Sequence, residues 1–251
     1  MRKLLKNNRS WAKSKGPDFF NSLVSQQNPQ YFWIGCADSR VPANVILGLD
    51  PGEVFVQRNV GNQACHTDLN CMSCLEYAVK ELKVRCILVC GHYGCGAVKA
   101  ALKMPSKTHS FVNHWISDIR ECRNQNREEM LSLPSQEAQY DRLCELNVMR
   151  QTFNVCTSPV VQDAWDKGQD LVVYGVVYSL KNGFVQKLVG PIRNDADVPA
   201  ESSMLTNDDS DFGMFTSSFC KGTPMTSSDQ VDFSEKYTMD VVKKVFEHND
   251  W

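Results

Sequence analysis

Residues 86–96 read CILVCGHYGCG: an uncharged run, Cys86 to Cys90, then Gly91, His92, Tyr93, Gly94, Cys95 and Gly96. A short apolar run stopped by glycines has the character of a strand buried on both faces, with His92 and Cys95 just past its carboxyl end. Working backward, residues 31–35 (YFWIG) have the same character and lead into Cys36, and residues 53–57 (EVFVQ) follow the turn signal Asp50-Pro51-Gly52. Between these strands, residues 68–82 place Leu69, Met72, Leu75, Val79 and Leu82 at helical spacing, with Thr67 or Asp68 as N-cap. Working forward, the spacing predicts helices over 97–102, within 110–130 and within 136–168. Strands over 171–178 and 184–189 then flank the hairpin turn Lys181-Asn182-Gly183. Strands alternating with helices predict an α/β fold: a central, mostly parallel sheet with an antiparallel edge strand, flanked by helices.

The ends of the chain read differently. Residues 4–24 carry Leu4, Leu5, Trp11, Phe19, Phe20 and Leu23 at helical spacing, broken by Gly16-Pro17, so two short helices are expected. Left on a monomer, those aromatics would form an exposed apolar patch, and the arm (1–26) is expected to pack on a second subunit. With that arm, residues 1–194 form one domain. Residues 195–251 are a polar extension, rich in Ser, Asp and Thr. It ends in an expected amphipathic helix bearing Met239, Val242, Val245 and Phe246.

Composition excludes several classes. The 27 basic and 29 acidic residues are interspersed and leave a net charge of −2, so there is no field to track a nucleic-acid backbone. No apolar run nears the ~20 residues of a membrane span, and the first residues lack the apolar core of a signal peptide. Eleven cysteines in a chain of 251 residues do not form the framework of a small secreted domain. Cys86, Cys90, Cys122, Cys144 and Cys156 sit within apolar patterns as small hydrophobes. A reducing intracellular compartment is expected: cytoplasm, or plastid stroma or mitochondrial matrix if a leader was removed.

The chemistry lies just after the strands, where open α/β sheets bind ligands. IGCADSR supplies Cys36, Asp38 and Arg40; GHYGCG supplies His92 and Cys95; VQRNVGN supplies Arg58 and Asn59. Two sulfurs and one imidazole suit zinc, and three protein ligands leave a fourth position for substrate or water. Arg40 and Asp38 lie on one face of an extended segment, where a guanidinium grips a carboxylate in a bidentate pair. Two thiolates neutralise the ion, so activity at a zinc-activated water is expected to favour alkaline pH. Cys65, His66, Cys71 and Cys74 form a second cluster, read as core packing rather than a zinc or redox site. His109, His114 and His248 read as surface residues.

The paired segments CADSR and HYGCG resemble the β-class carbonic anhydrases, and the resemblance extends from about Gln27 to Val189. It implies one Zn2+ per subunit on Cys36, His92 and Cys95, and hydration of carbon dioxide to bicarbonate and a proton by zinc-bound hydroxide. Asp38 then accepts a hydrogen bond from that hydroxide, or closes onto zinc in an inactive state, and Arg40 holds it away. Gln27 is placed in a neighbouring subunit's substrate pocket, with Phe55, Val60, Tyr77 and Gly96 as further substrate residues. Trp33, Arg58 and Tyr178 are similar to a regulatory bicarbonate site found in a subset of the family. The resemblance also implies a homodimer or a dimer of dimers. Hydrolysis of carbonyl sulfide or carbon disulfide, and a closed structural zinc, are the alternatives.

Overall fold

Five strands form one sheet in the order β2-β1-β3-β4-β5. They are β1 (Tyr31–Cys36), β2 (Val54–Asn59), β3 (Cys86–His92), β4 (Val172–Tyr178) and β5 (Val185–Ile192). β1 runs parallel to both β2 and β3, β3 runs parallel to β4, and only β5 is antiparallel. The computed structural model describes residues 1–24, 27–103 and 110–199. The chain leaves β1 toward β2 on one side, then crosses to β3 on the other. The carboxyl ends of β1 and β3 therefore flank a switch point, where connections diverge and leave a crevice.

Side chains alternate across the sheet with the two-residue period of a strand. Phe32, Ile34, Ile87, Val89 and Val173 face one layer of core, closed by Leu75, Val79, Val155 and Val161. Trp33, Cys90 and Val176 face the other side, where Tyr31, Leu88, Tyr174 and Tyr178 are only partly buried. The helices closing the first layer are α3 (Leu69–Glu76), α8 (Gln136–Cys156) and α9 (Pro159–Asp166). Preceding them are α1 (Arg2–Val24) and α2 (Ala43–Leu47). Between α3 and α8 come α4 (Gly96–Leu102), α5 (Phe111–Trp115), α6 (Ser117–Gln125) and α7 (Arg127–Ser132).

Sequence periodicity located most of these elements and misjudged some limits. The expected helix over 68–82 is capped by Asp68, which accepts the Asn70 N–H, but continues past α3 as a π turn, Tyr77–Glu81. The stretch 110–130 is three short helices. The stretch 136–168 breaks at Ser158-Pro159, where Ser158 caps α9. β3 runs through Gly91 to His92, beyond the glycine expected to stop it. α2 has only five residues, too few to show a period. The arm bends at Gly16 (φ +75°) before Pro17, and none of the residues of α1 is buried. Trp11, Phe19 and Phe20 meet edge-on, with centroids 5.2–6.2 Å apart. Residues 195–197 form a 3-10 turn and Val198 packs on the core. The expected terminal helix, His109 and His248 lie outside the described residues.

α8 matters most for the site. Ser135 caps it, and Val148 and Thr152 lie against β3 and β4 at two glycines. A Cβ on Gly91 would fall 2.5 Å from Val148 Cγ2; one on Gly175 would fall 2.5 Å from Val189 Cγ1 and 2.6 Å from Thr152 Oγ1. Missing side chains are what let the helix lie so close. Gly175→Ala is therefore expected to destabilise the protein by about 1–3 kcal/mol through overpacking. The check is a urea midpoint that falls with unchanged slope.

Candidate active site

Cys36 ends β1, and His92 ends its neighbour β3. Gly94 (φ +73°) then turns the chain so that Cys95, the residue preceding α4, comes back to the same place. The three donor atoms lie within 4.8 Å of one another, and the two sulfurs are 3.9 Å apart. All three residues are buried. His92 Nδ1 is 3.1 Å from the Tyr93 carbonyl, and donating there fixes the tautomer with a bare lone pair on Nε2. Nε2 is buried and has no hydrogen-bond partner. An orphaned imidazole nitrogen facing two thiols is the donor set of a borderline-soft divalent cation, and zinc fits it.

The thiols titrate as a pair. The Cys95 thiol, hydrogen-bonded to the Cys36 sulfur, is the main force pulling Cys36 down to about 4; burial opposes it, and His92 with the backbone of Asp38 and Gly61 assists. The same contact, with burial, pushes Cys95 far up. One thiolate forms readily and the second only against the charge of the first. A dication removes that conflict, since both sulfurs bind it as thiolates.

Asp38 lies at the mouth of this group, its Oδ2 3.8 Å from His92 Nε2. Arg40 donates from Nε to Asp38 Oδ1 (3.0 Å) and from Nη2 to Oδ2 (2.7 Å), and its backbone N–H adds a third bond. Those bonds hold the carboxyl well below the usual carboxylate range. Arg58 reaches in from β2 and donates to the carbonyls of Cys36 and Asp38, tying down the segment that carries them.

The likeness to known proteins follows this geometry. The carbonic anhydrase family matches residues 31–185. The chain belongs to the β-class carbonic anhydrase family. The carbonic anhydrase of Emericella nidulans is 43% identical over 189 residues, 74% of this chain and 82% of that one. That of Saccharomyces cerevisiae is 34% identical, over 73% and 86%. Among solved structures, the Coccomyxa β-carbonic anhydrase in complex with acetazolamide has TM-score 0.75 and 50% identity, covering 78% of this chain and 89% of that one. A tetrameric β-carbonic anhydrase of Sordaria macrospora has TM-score 0.71 and 33% identity, covering 75% and 96%. The family's reaction is the reversible hydration of carbon dioxide.

Other residues that β-class resemblance implicates are spread more widely. Val60, 41% exposed, lines an open apolar groove of about 590 Å³ with Phe111, Val112, His114 and Trp115. Gly96 opens α4 beside Cys95, with nothing within 4 Å of where its Cβ would stand. The Phe55 and Tyr77 rings pack at a tilt with centroids 5.8 Å apart, but Phe55 pairs with Phe32, four residues before the Cys36–Asn59 pair. At ~3.3 Å per residue that is about 13 Å along the strand from the Cys36 backbone. Gln27 is exposed between α1 and β1. Trp33 and Tyr178 share one apolar cluster, the Trp33 indole N–H buried without a partner. Arg58 is engaged with the backbone of the metal loop. Among the described residues the Cys65, His66, Cys71 and Cys74 group offers no set of three close donors; burial pushes Cys71 up to about 12.

Sequence reasoning missed Cys144, whose thiol donates to the His92 carbonyl at 3.2 Å. Its apolar neighbours hid that role. Cys95→Ser and His92→Ala are each expected to lose bound zinc on dialysis that leaves the wild type loaded. Metal analysis per mole of folded protein checks this.

Proposed function

We propose that the chain hydrates carbon dioxide reversibly with one zinc ion per subunit held by Cys36, His92 and Cys95. The carrying observation is the buried, partnerless Nε2 of His92 beside two sulfurs, with the Asp38–Arg40 pair at the mouth of the group. When bound there, zinc supplies the Lewis acidity that brings the pKa of water toward neutrality. An ionised carboxylate only accepts hydrogen bonds, so water or hydroxide beside Asp38 must point a hydrogen at it and turn a lone pair elsewhere. At neutral pH Asp38 would be ionised even at an ordinary pKa of about 3.9. Arg40 therefore contributes aim rather than charge. The apolar groove at Val60 suits a substrate with no charge to grip.

Assembly completes this reading. Phe55 pairs four residues before Cys36, Tyr77 (46% exposed) packs against Phe55 and Gln27 is exposed ahead of β1, which supports their serving a second subunit's pocket in a homodimer or dimer of dimers. The unburied arm and the partly covered Tyr31, Leu88, Tyr174 and Tyr178 are the apolar surfaces such a partner would cover. The reducing compartment and a bicarbonate-responsive Trp33, Arg58 and Tyr178 belong to the same reading.

Stopped-flow hydration with zinc-loaded protein is expected to rise from neutral to alkaline pH and to fall about 10²-fold or more in Asp38→Ala. Arg40→Ala should lower the rate without moving the pH midpoint. Wild type that is inactive at alkaline pH while zinc-loaded overturns this reading and turns attention to carbon disulfide or carbonyl sulfide. Deleting residues 1–24 is expected to yield a smaller assembly by sedimentation; an unchanged mass would remove the arm from the interface.

A further inference from the structure

α8 lies against the end of β3, and two neighbouring side chains in its middle reach the residues that follow. Cys144, 2% exposed, donates from Sγ to the His92 carbonyl at 3.2 Å. Glu145, 7% exposed, accepts the Tyr93 hydroxyl on Oε1 at 2.8 Å. A buried carboxyl is costly unless its oxygens are paired. Here the second oxygen, Oε2, takes Arg142 Nη1 at 3.0 Å, and Arg142 Nε donates in turn to Glu129 of α7. A chain of polar contacts thus runs from α7 across α8 to the residue that follows His92. A glutamate serving only to join the helices would need Arg142 alone; this one turns its other oxygen to the loop.

Tyr93 stands between His92 and the turn that returns Cys95. Its N–H donates to the Tyr178 carbonyl at 3.0 Å, and its own carbonyl faces His92 Nδ1 at 3.1 Å. The His92 carbonyl and the Tyr93 N–H belong to one planar peptide, so that peptide is held at both polar atoms. The next peptide, which carries the Tyr93 carbonyl, has no such pair of bonds from its far side. Gly94 follows with φ +73° and nothing within 4 Å of where its Cβ would stand, so it brings no packing to steady that carbonyl. The hold comes from the Tyr93 side chain: the ring packs against Val148, Val177 and Leu188, and Glu145 fixes its hydroxyl end. The loop after β2 is braced by other groups, Asn147 Nδ2 on the Gly61 carbonyl at 2.9 Å and Trp115 Nε1 on the Val60 carbonyl at 2.6 Å.

We propose that Glu145 is a positioning residue of the metal centre: it holds Tyr93 by its hydroxyl, and with it the carbonyl that accepts the His92 Nδ1–H, so that Nε2 stays turned to the two sulfurs. The outer partner of a ligating imidazole fixes its tautomer and the direction of its ring, and losing such partners weakens metal binding by about 10- to 100-fold. Cys144 secures the first peptide of the loop and Glu145 the second. The inference rests on the zinc reading above.

The test uses the full chain and zinc itself. Tyr93→Phe keeps the ring and removes the hydroxyl; Glu145→Leu removes the carboxyl; Glu145→Gln keeps an oxygen that can accept from Tyr93. Zinc affinity is measured by competition with a chromophoric chelator. Solvent exchange of the His92 Nδ1 proton is followed by NMR on zinc-loaded protein with isotope-labelled histidine. Tyr93→Phe and Glu145→Leu are expected to bind zinc about 10-fold more weakly and to exchange that proton faster, while Glu145→Gln stays near wild type in both. Ser158→Ala, which loses the cap of α9, is expected to keep both at wild-type values. If Glu145→Leu does not fold, Tyr93→Phe decides. Folded variants with wild-type affinity and exchange overturn the proposal, as does an equal loss in Ser158→Ala. Weaker zinc binding with an unchanged Nδ1 proton overturns the route through the Tyr93 carbonyl. A wild type that takes up no zinc overturns the zinc reading and this role with it, whereas loaded wild type beside unperturbed variants overturns this role alone.

Discussion

β1 and β3 are hydrogen-bonded neighbours running in one direction, and the chain departs from their ends toward opposite sides of the sheet. That divergence is the constraint from which the site follows. A parallel pair cannot be closed by a tight turn, so the ground above its carboxyl ends stays clear of connecting chain. Into that clearing β1 delivers a thiol and β3 an imidazole, and one left-handed glycine brings back the second thiol. The close seat of α8 against Gly91 and Gly175 then floors the clearing with a dense layer, so the donors stand on packed core rather than on mobile loops.

Three kinds of side chain share the work around these donors. Cysteine and histidine offer lone pairs inward. Asp38 and Arg40 form a charged rim, in which the fork geometry of guanidinium fixes two carboxylate oxygens at once. Neutral groups act on backbone: Cys144 on the His92 carbonyl, Asn147 on Gly61, Trp115 on Val60.

The five strands, the antiparallel last strand and the three metal-binding candidates were legible because each leaves a local mark: an apolar run of strand length, a turn with Asn182-Gly183, a reactive residue at a strand's end. Asp38 and Arg40 were legible for the same reason, two residues apart on one extended segment. The supporting residues leave no such mark. Asn147 meets Gly61 across 86 positions and Trp115 meets Val60 across 55, and one buried amide in a long helix looks like any surface asparagine until the fold is closed. Only the pair Gly61-Asn62 hinted at an unusual backbone. The limit within 136–168 was misjudged because the Ser158 cap, weak in a sequence, outweighed the apolar period there, whereas 110–130 breaks at Ile116 and Asn126 without a side-chain cap on the helix that follows. The setting of Phe55 and Tyr77 was hidden since a two-residue alternation tells the face of a strand, never the height of a residue above its end.

The two sulfurs that meet at 3.9 Å are 59 residues apart in the chain. Unfolded, they have no reason to be near each other or near His92, so a metal that needs all three ligands recognises only the folded form. Mass action then makes the ion a term in the folding equilibrium. At a free concentration 100 times its dissociation constant it adds about 2.7 kcal/mol to the native state, comparable to a well-buried side chain. With zinc held as proposed, the melting temperature would be no fixed property of the packing and would follow the free zinc of the solution.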